Sequence, residues 1–226
     1  MQHVRGRISY RGPNGVERGR EWFHITVGAD GSRTMRAVSE IDDSQILRDV
    51  TLTVGSDWRP RDCYVRVSVA GELIGSGWFE FTEQEARAEV ASVALGRISQ
   101  VVPTRGRAPM FGAHQVAGDG WQAGLLAGHD GPGPVRVEGV LLSSRLPNGA
   151  SGPLIESTTI VAERIGEERI TVDAGTFDTV RYRFSPDGLE PEDVWVLDGS
   201  NILVRSAWPH YRTTYDLVEY EVLGQD

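Results

Sequence analysis

The chain has a single cysteine, Cys63, so no internal disulfide can form, and its place in a strand-like run marks it as a buried small hydrophobe rather than a reactive thiol. Nowhere does an apolar run approach the ~20 residues of a membrane-spanning helix, and the opening MQHVRGRISYRG lacks the apolar core of a signal peptide. A cytoplasmic protein with no membrane partner is the expectation. Familiar catalytic signatures are missing too: no phosphate-cradling glycine loop, no His-Glu-x-x-His, no paired cysteines, no Gly-x-Ser-x-Gly elbow. Neither a metal nor a cofactor is expected. Basic residues are outnumbered, 23 against 32 acidic, and the net charge of −9 makes nucleic acid an unlikely partner.

What the chain does have is turns. Its 226 residues contain 27 glycines, enough to punctuate many short strands, and the length suits one all-β domain spanning residues 1–226. Alternating apolar and polar residues recur at short spacing: residues 22–27 place Phe23, Ile25 and Val27 on one side and Trp22, His24 and Thr26 on the other, and residues 63–70 place Cys63, Val65, Val67 and Val69 opposite Tyr64, Arg66 and Ser68. Residues 82–96 contain helix formers as well as an alternation; a hairpin with its tip at 83–85 and a returning strand at 88–95 is the preferred reading, a helix the alternative. Asp198-Gly199 marks a tight hairpin before the last strands. The fold expected is an antiparallel barrel, or a strongly curved sheet of many hairpins, wrapped around one short helix and a cavity.

That helix comes from the stretch that breaks the strand pattern, residues 106–129. Trp121, Leu125 and Leu126 recur at helical spacing, Asp119 stands where an N-cap would, and Gly128 where a terminating glycine would, which predicts a helix over 119–127. A Gly/Pro turn at 131–134 follows.

Three segments of the second half, VDAGTFDTVRYRF (172–184), EDVWVLDGSNILVRSAW (192–208) and TTYDLVEYEV (213–222), resemble the repeating hairpins of a domain-of-unknown-function family of β-rich bacterial proteins. That family is similar in architecture to the lipoprotein-carrier barrels. Its members carry an Asp followed by a short apolar helix before the last group of strands, and Asp119 with Trp121, Leu125 and Leu126 stands in the matching place. The resemblance implies a fold; it transfers no catalytic residue.

Candidate chemistry therefore rests on scattered side chains. His114 precedes the expected helix in a glycine-rich loop and could act as acid or base near neutral pH, with Asp119 five residues on; a backbone hydrogen bond is the more ordinary role for such a histidine. His24 is a second proton-transfer candidate because it shares a strand face with Trp22. Trp22, Trp78, Trp121, Tyr64 and His129 are the candidates for contacting a substrate, although core packing is the commoner role of a tryptophan, and His129 beside the Gly/Pro turn is expected at the surface. Arg48, Asp49 and Arg205 fall in strand patterns and could point inward. Two functions follow: a cofactor-free lyase, isomerase or hydratase acting on a small apolar or aromatic molecule by histidine acid–base chemistry, or a non-catalytic binder or transporter of a hydrophobic ligand. The sequence is silent on oligomeric state.

Overall fold

The computed structural model describes residues 2–129, 131 and 133–224. Fifteen strands fill it: β1 Gln2–Arg11, β2 Glu17–Val27, β3 Arg33–Ile41, β4 Ile46–Val54, β5 Pro60–Val69, β6 Glu72–Phe81, β7 Glu85–Ser92, β8 Gly96–Pro103, β9 Phe111–Gly112, β10 Val135–Leu142, β11 Glu156–Val172, β12 Gly175–Pro186, β13 Glu192–Val196, β14 Leu203–Trp208 and β15 Thr213–Leu223. They form one sheet in the order β8-β7-β6-β5-β4-β3-β2-β1-β15-β14-β13-β12-β11-β10-β9. Thus two meanders, one from each half of the chain, join where β1 pairs β15, and every pair is antiparallel except the short β9–β10. Of the turn at 130–134, Asp130 and Pro132 lie outside the described residues.

Strand alternation decides the inner face. In β4, Ile46, Arg48, Val50, Leu52 and Val54 are buried while their neighbours are more exposed; in β2 the same holds for Gly19, Glu21, Phe23 and Ile25. Residues 82–96 adopt the hairpin, not the helix. Thr82 Oγ1 accepts the N–H groups of Gln84 and Glu85 and so fixes the tip, and the returning strand begins at Glu85, three residues before the position expected, which leaves Val93 and Leu95 in the next turn.

The sheet curls without closing, so a closed barrel is not what forms. Among the described residues no ladder joins edge strand β8 to β9 or β10. Side chains bridge the gap instead: Ile155 N–H donates to Gln100 Oε1 at 2.8 Å, and Gln100 Nε2 donates back to the Ile155 carbonyl at 3.3 Å. Bulges at Arg7/Ile8, Tyr10/Arg11, Thr53/Val54 and Val67/Ser68 interrupt the ladders, and such bulges bend strands and increase their twist. Phe111 on β9 packs between Phe79 and Phe81 of β6, at ring separations of 4.8 and 4.9 Å, so the two ends of the sheet share a core.

The inner segment, Val116–Leu126, runs in successive 3-10 turns rather than as the α-helix expected over 119–127. Its glycines let it lie against its neighbours. A Cβ at Gly120 would sit 2.5 Å from the Asn201 carbonyl, and one at Gly124 would run into the Trp58 ring. Asp119 is not its cap: Gln115 holds that position without a side-chain bond. The free N–H groups of Val116 and Ala117 donate instead to Glu21 on β2, at 2.9 and 2.7 Å, so a strand carboxyl caps the segment from across the core. Gly128 does take the left-handed conformation beyond its end, at φ 78°. No helix among the described residues is long and apolar enough to cross a membrane.

Candidate functional site

Polar side chains collect around the start of the inner segment, where the core would otherwise be hydrocarbon. Glu21 is fully buried, and besides the two backbone donors it accepts the Tyr10 hydroxyl at 2.8 Å and the Ser39 hydroxyl at 2.7 Å. Four donors therefore converge on one carboxyl, which is how a strand-borne acid is tolerated in a core. Beside it, Arg48 is 2 % exposed. Its two terminal nitrogens donate to the carbonyls of His114 and Asn148, pinning two loops to the sheet, while its Nε–H has no partner. Burial holds this guanidinium below its ordinary value, opposed by the nearby Tyr10, Glu21 and Asp119.

A second acidic pair lies deeper. Gln122 Nε2 donates to Asp119 Oδ1 at 3.2 Å and to Glu192 Oε2 at 3.5 Å, and Ser206 donates to the other oxygen of Glu192. Burial pushes Asp119 well above the carboxylate range, and the neighbouring Glu192 and Glu21 push it further. Burial likewise raises Glu192 to about 7, with hydrogen bonds from Ser206, Gln122, Trp208 and Asp119 favouring its charged form. Two carboxyls buried side by side cannot both ionise cheaply, so the pair keeps protons that exposed carboxyls would have released.

These groups line or underlie a cavity of about 530 Å³. Arg18, Asp43, Arg48, His114 and Asp119 bring charged or titratable groups to its lining; Trp208, Tyr211, Tyr215, Ile41, Pro13 and Leu146 supply apolar walls. The loop 144–151 forms one side, locked by a Ser144–Ser151 hydroxyl bond of 2.5 Å and by the hold of Arg48 on Asn148.

The sequence candidates divide between this cavity and the opposite face of the sheet. His114 and Asp119 line it together. His114, however, is tied at Nε2 to the Ser144 carbonyl, 3.1 Å away, and burial with the charge of Arg48 depresses it to about 3, against the backbone bond that raises it. The imidazole is neutral at cellular pH. His24 does not join it. It lies with Trp22 over a separate outer groove of about 830 Å³, stacked on His3 at 5.5 Å, because Phe23 and Ile25 take the inward positions of β2. Tyr64 and Trp78 occupy the same outer face, opposite each other on β5 and β6 and 41 % and 45 % exposed. Trp121 is buried against Trp58 at 6.1 Å and packs the core without lining the cavity. His129 is exposed beyond the segment's end and away from the cavity. Among the described residues, no three His, Cys, Asp or Glu side chains gather as a metal site would require.

Glu21, Glu192 and Arg18 were not singled out from the sequence. Glu21 carried a signal, since extending the alternation of Phe23 and Ile25 one step back places it inward. Glu192 carried a weaker one, opening a five-residue strand that is buried throughout.

Solved structures of the same architecture exist. A β-barrel-like protein of domain of unknown function DUF1849 from Brucella abortus superposes with a TM-score of 0.59 at 12% identity, over 99% of this chain and 98% of that one. The likeness is one of fold. A DUF1089 family protein from Pseudomonas aeruginosa follows at a TM-score of 0.50 and 9% identity, over 84% of this chain and 90% of that one. Neither is described by a ligand or a reaction. No family model matches the chain, and no curated protein does.

Proposed function

We propose that this protein binds a small amphipathic molecule, with an apolar or aromatic body, in the cavity beside the inner segment. The observation that carries the reading is the cavity itself: its volume falls in the ~300–1,000 Å³ range of small-molecule sites, and its lining combines aromatic and aliphatic side chains with charged and polar ones. A core built only for stability would fill such a space with side chains. The barrel-like wrapping supports the reading because a curved sheet leaves room beside its inner segment that a flat sandwich does not. The test is a thermal-shift screen of small aromatic, terpenoid and steroid-like compounds, repeated on Ser44→Trp, which fills the mouth. Hits that stabilise the protein and lose their effect in the variant support the site; equal shifts in both place binding elsewhere and overturn it.

A second reading, a cofactor-free lyase, isomerase or hydratase, is favoured by the Asp119–Glu192 pair, in which Asp119 lines the cavity and burial raises both carboxyls, Glu192 to about 7. In that case Asp119→Asn retains ligand binding and loses turnover by roughly 10²–10⁴-fold.

A further inference from the structure

The unpaired polar atoms around the cavity are donors. Arg48 Nε–H is buried without a partner, and so is the Nε–H of Arg18, which lines the same cavity. Arg18 is there because of a bulge: Tyr10 pairs with Gly19 and Arg11 with Glu17, so Arg18 is the extra residue, and its side chain turns to bond the Tyr215 hydroxyl and the Asp43 carboxylate, each at 3.1 Å. Bulges re-aim side chains in this way. Arg48 meets no carboxylate within ion-pair distance among the described residues; both of its engaged nitrogens face neutral carbonyls. A buried cation without an anionic partner is costly, and an arginine remains charged in any protein environment. Meanwhile the nearest carboxyl oxygens are spoken for, those of Glu21 by four donors.

We propose that the cavity ligand is an organic acid, its carboxylate seated between Arg48 and Arg18 and its apolar body against Trp208, Tyr211, Tyr215 and Leu146. The proposal rests on the binding reading above and adds the chemistry of the head group. Planar guanidinium forks suit a carboxylate, and two arginines in the same lining oppose an ammonium head, which finds one carboxylate there, Asp43, already paired with Arg18. An alcohol can use only part of the site.

The experiment is calorimetry with matched heads on two bodies: 2-naphthylacetate, 2-(2-naphthyl)ethanol and 2-(2-naphthyl)ethylamine, and decanoate with decanol. The expected result is that one acid binds roughly 10-fold or more tightly than its alcohol, the factor corresponding to about 1.4 kcal/mol, with the amine weakest. Arg18→Met, at the cavity rim, should bring the acid down to the affinity of the alcohol without weakening the alcohol. Arg48→Met should do the same if it folds, and the Arg18 variant decides if it does not. An alcohol that binds as tightly as its acid, or an acid preference undiminished in the arginine variants that fold, overturns the proposal and leaves the cavity reading standing. Failure of both series to bind overturns the reading and the proposal together.

Discussion

Converting the buried acidic pair to amides should reverse the sign of the protein's pH dependence between about pH 5 and 6.5. Glu192 titrates at about 7 in the folded chain against an ordinary 4.5, so the folded state holds its proton where the unfolded state has released it, and stability falls as pH rises through this window. At about 1.4 kcal/mol per unit, Glu192 contributes a loss of ~3 kcal/mol between pH 5 and 7. Asp119, raised by burial and by Glu192, adds to that fall throughout the window. His114 works the other way. Held at about 3 against 6.5, it is neutral in the fold while the unfolded chain takes up a proton below 6.5, so it raises stability by ~2 kcal/mol from pH 5 to 6.5. Carboxylates held low, such as Asp30 at about 2, are already ionised in both states here and do not contribute. The two falling contributions outweigh the rising one, and the wild type should be more stable near pH 5 than near 7.5. In Asp119→Asn/Glu192→Gln the two histidines held low, His114 and His24, remain, and urea denaturation followed by tryptophan fluorescence should show stability rising to pH 6.5 and level beyond it. A slope that stays negative in the double variant refutes the assignment of the proton to this pair.

Glu21→Ala should cost roughly 3–5 kcal/mol in chemical denaturation, because four donors lose a buried acceptor at once. Gly120→Ala should destabilise by about 1–3 kcal/mol, since its Cβ would meet the Asn201 carbonyl and the Leu203 backbone rather than a movable side chain. Trp121→Ala, in the core against Trp58, should cost about 3–5 kcal/mol, whereas Trp78→Ala on the outer face should fall below ~1 kcal/mol; equal losses would mean the inner and outer faces have been assigned wrongly.

The period-two pattern by itself determined the strands, their inner faces and the all-β class, because burial on one side of a sheet acts on every second residue and leaves a local mark. It also isolated the one stretch that interrupts the strands and, within it, His114 and Asp119. Arg48 was legible as a possible inward charge, because it falls in step with Val50, Leu52 and Val54 while Asp49 falls out of step and points out. Only the tertiary structure decided the rest. Whether the sheet closes depends on how its edge strands β8 and β9 meet, and there the contact runs through Gln100 and Ile155, 55 residues apart in sequence. The turn geometry of the inner segment depends on how near Asn201 and Trp58 approach its glycines. The site's chemistry depends on partners from distant strands: Glu21 and Glu192 look like ordinary surface acids in sequence, and become a cap and a proton holder only when β2 and β13 are wrapped around the same segment, where water is excluded and each charge must find a donor or give up its ionisation.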